Sequence, residues 1–114
     1  MRIAIASADG KTVHQHFGHA THFQIYEIVA GQAALVTIRE NAPSCVPEER
    51  PAAHQRTLDL IADCEAVVVA CVGPHALRLM EARGIACFES EDLITNVLAE
   101  LARRSDSKAL DTQH

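Results

Sequence analysis

Residues 66–75 read Ala-Val-Val-Val-Ala-Cys-Val-Gly-Pro-His. The apolar run Ala66–Val72 has the length of a strand and falls far short of the ~20 residues of a membrane span. It is apolar on both faces, as expected of a strand covered on two sides. Gly73-Pro74 then opens a helix, because proline's missing N–H costs nothing in a first turn. That helix runs to about Arg83, and Gly84 stops it. A buried strand feeding a helix calls for a parallel neighbour and a right-handed crossover.

Downstream, Ile85–Phe88 is a last short strand. Ser90 caps a final helix with Glu91 and Asp92 in its first turn, and Leu93, Ile94, Val97, Leu98 and Leu101 form its apolar stripe. Residues 1–104 are expected to be one domain, and the polar Ser105–His114 a frayed, flexible tail. Upstream, Ala52–Asp63 is a helix, with Ala53, Thr57, Leu58 and Ile61 near helical spacing. Glu40–Pro51 holds three of the four prolines and is a loop. Arg2–Ser7, His22–Val29 and Ala33–Arg39 are strands, the last two forming a hairpin about a Gly31-Gln32 turn. Asp9-Gly10 marks a turn, and Lys11–Thr21 has no helical period and reads as a loop. The order is β-β-β-α-β-α-β-α. It fits one mixed five-stranded sheet with helices packed on it, an α/β architecture.

The chain has 114 residues, enough for one core and too few for two. Apolar residues make up 48% and charged residues 22%, which excludes a disordered chain. With no Trp and 4% aromatics, the core must be aliphatic. The net charge of −5 argues against nucleic acid or an anionic membrane as a general partner. The amino terminus lacks a full apolar signal region and an A-x-A cleavage site, so a cytoplasmic protein is expected. Four cysteines, Cys45, Cys64, Cys71 and Cys87, contain no C-x2-C pair, which disfavours a disulfide framework and a zinc ribbon.

Four of the seven histidines, His14, His16, His19 and His22, fall within nine residues. Imidazole is a common metal ligand and a proton shuttle. In an extended loop alternate residues share a side, which would put His14 with His16, and Gly18 lets the backbone turn or approach a ligand. The alternative is a surface loop with chance histidines. Gly73-Pro74-His75 is a second candidate, since a strand end leading into a helix N-terminus favours anions; a plain turn is the alternative. Cys45, in the proline loop ahead of His54, is a candidate soft ligand or else an inert thiol. Cys64, Cys71 and Cys87 read as small core residues. Lys11, Arg39, Arg50 and Arg56 stand near these loops as possible anion partners. No G-x-S-x-G, G-x-G-x-x-G or Walker motif occurs, and the carboxylates do not make a two-metal nuclease set.

The segment MRIAIASADGK-x-V-x-x-HFG-x-A-x-x-F-x-IYE, residues 1–27, resembles the opening of the dinitrogenase iron–molybdenum cofactor-binding family. The likeness continues in R-E-N-x-P-x-C (39–45), Asp63-Cys64, V-x-x-x-V-G (68–73), and Leu79 with Gly84-Ile85. It covers residues 1–101 and is most specific in the D-G…H-F-G…Y-E block. The family includes NifX and NafY carriers and the C-terminal domain of NifB. The resemblance implies a ribonuclease-H-like fold without nuclease activity. It also implies a non-enzymatic role, binding and carrying an iron–sulfur or molybdenum-containing cluster between donor and acceptor proteins of cofactor assembly. The family's H-F-G histidine corresponds to His16, the first metal-ligand candidate. Cys45 follows as a ligand, with His14, Gly18, His19, Gly73 and His75 around them. No C-x3-C-x2-C radical-SAM motif is present, so synthesis of the cluster is not expected. The chain is expected to act as a monomer. A His-rich divalent-metal binder and a small regulatory or interaction domain without a cluster are the competing readings.

Overall fold

The computed structural model describes residues 1–44 and 46–111. Five strands and three helices follow the expected order: β1 (Arg2–Ala6), β2 (His22–Val29), β3 (Gln32–Glu40), α1 (Arg50–Leu60), β4 (Ala66–Val69), α2 (Pro74–Ala82), β5 (Ala86–Glu89) and α3 (Ile94–Asp111). Two short 3-10 turns, Phe17–His19 and Pro47–Glu49, lie in the loops. The strands form one sheet in the order β3-β2-β1-β4-β5. β1 pairs antiparallel with β2, and β2 with β3. β4 runs parallel to both β1 and β5. The molecule is an α/β domain with a mixed sheet.

Side-chain alternation splits the core in two. Ile3 and Ile5 of β1 face α3, where they meet Val68, Ile94, Leu98 and Leu101. Ala4 and Ala6 face the other side, with Phe23, Ile25, Leu58, Ile61 and Met80. Small residues on that face leave room for two phenylalanines, Phe17 and Phe23, both fully buried. All four residues of β4 are buried, as the two-sided apolar run required.

Local signals explain most of the ends. Gly73 caps α2 and Pro74 begins it. Gly84 takes φ +72°, and the N–H groups of Gly84 and Ile85 return to the carbonyls of Glu81 and Met80, the Schellman closure that glycine permits. The β2–β3 turn falls one residue earlier than expected. Ala30 and Gly31 both have positive φ, 52° and 77°, the primed geometry that matches strand twist. β4 ends at Val69 and not at Val72, because beyond it the chain pairs with the residue 14–17 loop instead of with β5. α3 begins at Ile94, so Glu91 and Asp92 precede it. Asp92 Oδ1 accepts the Leu93 N–H at 2.7 Å and the Asn96 side-chain N–H at 3.0 Å, and Leu93 is exposed instead of joining the stripe. The same helix continues to Asp111, through residues expected to form a tail. Edge strand β3 is exposed along nearly its whole length, including Leu35, Val36 and Ile38. Among the described residues no helix is long and apolar enough to cross a membrane.

Candidate functional site

The segment after β1 is built in two parts. First comes a carboxylate turn. Asp9 Oδ1 accepts the N–H groups of Lys11 and Thr12 at 2.8 and 3.0 Å, and Ser7 Oγ donates to the same oxygen at 2.9 Å. Those backbone donors hold the Asp9 carboxyl well below the ordinary carboxylate range. Buried Gln24 donates to the Ser7 carbonyl at 2.9 Å and pins the turn to β2. The chain then comes back between the diverging ends of β1 and β4. Gln15 N–H reaches the Ala6 carbonyl, Ala70 N–H reaches the Gln15 carbonyl at 2.9 Å, and Phe17 N–H reaches the Cys71 carbonyl at 3.0 Å. His16 and Cys71 form an isolated parallel bridge.

Phe17 drops into the core at 1% exposure and anchors the 3-10 turn, while His16 and His19 stay on the surface with ring centroids 6.4 Å apart. Asn41 ties the end of this turn to α1, its side-chain N–H groups reaching the Ala20 carbonyl at 2.9 Å and Thr57 Oγ1 at 3.0 Å. The half-buried His54 of α1 lies against the Phe17 ring, centroids 5.6 Å apart. Its Nδ1 is 3.1 Å from Nδ1 of His75 in the first turn of α2. At that separation one nitrogen donates and the other accepts, so only one of the two Nδ1 atoms carries the proton. Burial, then the positive charges of His75 and Arg50, lowers the His54 pKa.

β1 and β4 are parallel neighbours, so the loops that follow them share a sheet edge. His16, Gly18, His19, Gly73 and His75 all belong to that edge. Gly18 and Gly73 have no positive φ; a Cβ at Gly18 would touch His54 Nε2 at an ordinary 3.6 Å, and one at Gly73 would meet nothing within 4 Å. Their backbone conformations therefore do not demand glycine. His14 is held elsewhere: its Nε2 accepts the Ala8 N–H at 3.0 Å and lies 4.0 Å from Asp9, which takes it out of the pairing with His16 that alternation suggested. Of the basic candidates, Arg39 is occupied by Asp63 and the Leu60 carbonyl, whereas the Arg50 charge is felt at His54. Cys45 lies outside the described residues. Among those described, no group of three or more His, Cys, Asp or Glu side chains converges as a metal site.

Two further residues stand at this edge that the sequence does not single out, Cys71 and His54. Cys71 reads as core if β4 is extended to Val72, yet it is exposed. Its only sequence signal is its place two residues before Gly73. His54 reads in the sequence only as a neighbour of Cys45, and nothing in its spacing points to His75.

Residues 1–104 match the profile of the family described as dinitrogenase iron-molybdenum cofactor. The chain belongs to this dinitrogenase iron–molybdenum cofactor family. A relative, the FeMo cofactor biosynthesis protein NifB of Frankia alni, is 36% identical over 107 residues, covering 90% of this chain and 21% of NifB. Protein NifX of Azotobacter vinelandii is 31% identical over 87 residues, covering 75% of this chain and 53% of NifX. The chain thus spans about a fifth of that NifB and about half of NifX. The solved structure of PH0822 superposes with a TM-score of 0.66 at 22% identity, covering 90% of this chain and 89% of PH0822, a likeness of fold. The histidine-bearing edge lies within the family-matched region.

Proposed function

We propose that this family member binds an iron–sulfur or molybdenum-containing cluster at the β1/β4 edge and carries it between a donor and an acceptor protein during assembly of a nitrogenase-type cofactor, without catalysing a reaction on it. The observation that carries this reading is the seating of the H-F-G loop beside the Gly73–His75 turn, through the Phe17 N–H to Cys71 carbonyl bond of 3.0 Å. His16 is thereby placed on an open surface next to the amino end of a nine-residue helix. A sulfide-rich cluster is anionic and bulky. Imidazole supplies a ligand to a surface metal atom, while the first-turn N–H groups of α2 and the nearby Arg50 offset negative charge. Few ligands suit a carrier, because a full set would hold the cargo too firmly to hand over.

The reading takes residues 1–104 as the cargo-binding domain, with His16 as the principal ligand, His19 beside it and Cys45 as a further ligand. The sheet order, with three parallel strands and an antiparallel hairpin on β1, supports describing the architecture as ribonuclease-H-like. The test is anaerobic reconstitution with a synthetic 4Fe–4S cluster, followed by its visible absorption. Wild type should take up the cluster, and His16→Ala should bind at least about tenfold more weakly, the equivalent of ~1.4 kcal/mol. Equal binding by the two proteins would remove His16 from the ligand set. Stabilisation by zinc with no uptake of cluster would favour a plain divalent-metal binder.

A further inference from the structure

We propose that Cys71 is a second ligand of this site, its sulfur joining the His16 imidazole on a single metal atom of the cargo. The inference rests on the carrier reading above and adds a residue that the H-F-G motif does not contain.

The parallel bridge is the first argument. Residues directly opposite one another on paired strands project to the same side, about 4.8 Å apart along the hydrogen-bonding direction. His16 and Cys71 are such a pair, fixed by the backbone bonds Phe17 N–H to Cys71 and Ala70 N–H to Gln15. Both side chains are exposed. A tetrahedral metal with one sulfur at ~2.3 Å and one nitrogen at ~2.0 Å holds those two atoms roughly 3.5 Å apart. Two side chains rooted on opposite residues of such a bridge are long enough to meet at that separation in staggered rotamers.

Comparison with the other described thiols is the second argument. Cys64 is buried in the core, lies 3.7 Å from Asp63 Oδ1, and is pushed up to about 11 by burial and then by the Asp63 charge. Cys87 is half-buried in β5 and is likewise pushed up to about 11 by burial and the Glu89 charge. Neither supplies appreciable thiolate near neutral pH. Cys71 alone of the three is exposed, and it is the one adjacent to an imidazole.

The His54–His75 pair sits a few residues away and is engaged with itself. That leaves a soft sulfur donor and a borderline imidazole, both exposed and paired across the bridge, a donor set that favours late first-row metals and iron–sulfur clusters over magnesium or calcium. Binding exchanges a labile water on the metal for the sulfur. One S–metal bond forms, the water leaves, the thiol proton passes to solvent, and no electron is transferred.

The probe is Co2+, titrated anaerobically into wild type, Cys71→Ser, Cys87→Ser and His16→Ala, with the near-ultraviolet thiolate-to-cobalt charge-transfer band as the readout. Wild type and Cys87→Ser should show the band, Cys71→Ser should lose the share its sulfur contributes, and His16→Ala should bind Co2+ at least about tenfold more weakly. In unsubstituted protein, Co2+ should also slow alkylation of Cys71 by iodoacetamide, mapped by mass spectrometry, which covers a Cys71→Ser protein that fails to fold. A band undiminished in Cys71→Ser, a band absent from wild type, or alkylation of Cys71 indifferent to Co2+ overturns the assignment. Parallel titration with a 4Fe–4S cluster separates the two readings. If Cys71→Ser binds cluster like wild type while His16→Ala does not, the carrier stands and Cys71 is not its ligand. If no protein takes up cluster but the cobalt band depends on Cys71, the pair is a metal-ion site and the carrier reading fails.

Discussion

Replacing Phe17 tests how the fold holds the histidine turn. Its ring is 1% exposed and sits in the cluster of Phe23, Ile25, Leu58, Ile61 and Met80, while its neighbours His16 and His19 are exposed. Removing a buried phenylalanine ring costs about 3–5 kcal/mol, the lost transfer energy plus the cavity left behind. A domain of this size has roughly 5–15 kcal/mol in total, so Phe17→Ala takes a large fraction of it. Phe17→Leu keeps most of the apolar volume and should cost about 1–2 kcal/mol. That corresponds to a fall in Tm of roughly 4–10 °C. The same substitution loosens the peg beneath the turn. Amide exchange at Phe17, whose N–H is bonded to the Cys71 carbonyl, should therefore accelerate beyond the global change. His16→Ala and His19→Ala, one position before and two after, should stay within about 0.5 kcal/mol of wild type, as surface substitutions do. Thermal melts and hydrogen exchange on the four proteins check this. A Phe17→Leu protein with an unchanged Tm, or a His16→Ala protein as damaged as Phe17→Ala, would show that the turn is not anchored from its phenylalanine.

Asp63 binds both Arg2 at 2.8 Å and Arg39 at 2.6 and 2.8 Å, and these partners hold its carboxyl well below the ordinary range. Its stabilisation is thus fully present above the ordinary carboxylate value of about 3.9 and is lost as pH falls through the depressed one. Asp63→Asn should accordingly flatten the acid limb of a stability-against-pH curve below about pH 4; an unchanged limb sinks the argument. His54 has its pKa lowered by burial and by the charges of His75 and Arg50. Below the ordinary histidine value of about 6.5 the unfolded chain takes up this proton first, so stability falls as pH drops through that value. His54→Gln should reduce the difference between melts at pH 7.5 and pH 5.5, and an identical difference counts against the assignment. Ala30 sits at φ +52° ahead of Gly31. Ala30→Asn creates the Asn-Gly pair that primed turns prefer and should raise stability by roughly 0.5–1 kcal/mol, read from denaturant midpoints. A loss of stability there would mean that the turn geometry is different.

Where a residue's backbone neighbours settle its conformation, the chain could be read locally. Pro74 and Gly84 delimit α2, the all-apolar 66–69 stretch becomes the doubly covered strand, and His22–Val29 has the ends expected of it. The element order follows from the same signals; the family was recognised apart from them, by the resemblance of the D-G…H-F-G block. The elements and their ends are written in periodicity, capping chemistry and turn signals, all of which act over a few residues.

What tertiary structure alone decided are the meetings between distant segments. Cys71 looked like core because apolar neighbours flank it, yet it is exposed, since the sheet gives out at Val69 and the residue 14–17 loop takes the next pairing position. His14 and His16 looked equivalent by alternation, until the Ala8 amide claimed one ring. His54 and His75 are 21 residues apart and come within 3.1 Å only because α1 and α2 pack on one face of the sheet. Side chains that meet through long-range pairing leave no periodic trace in the chain, because their distance is set by which strands are neighbours and not by how many residues separate them.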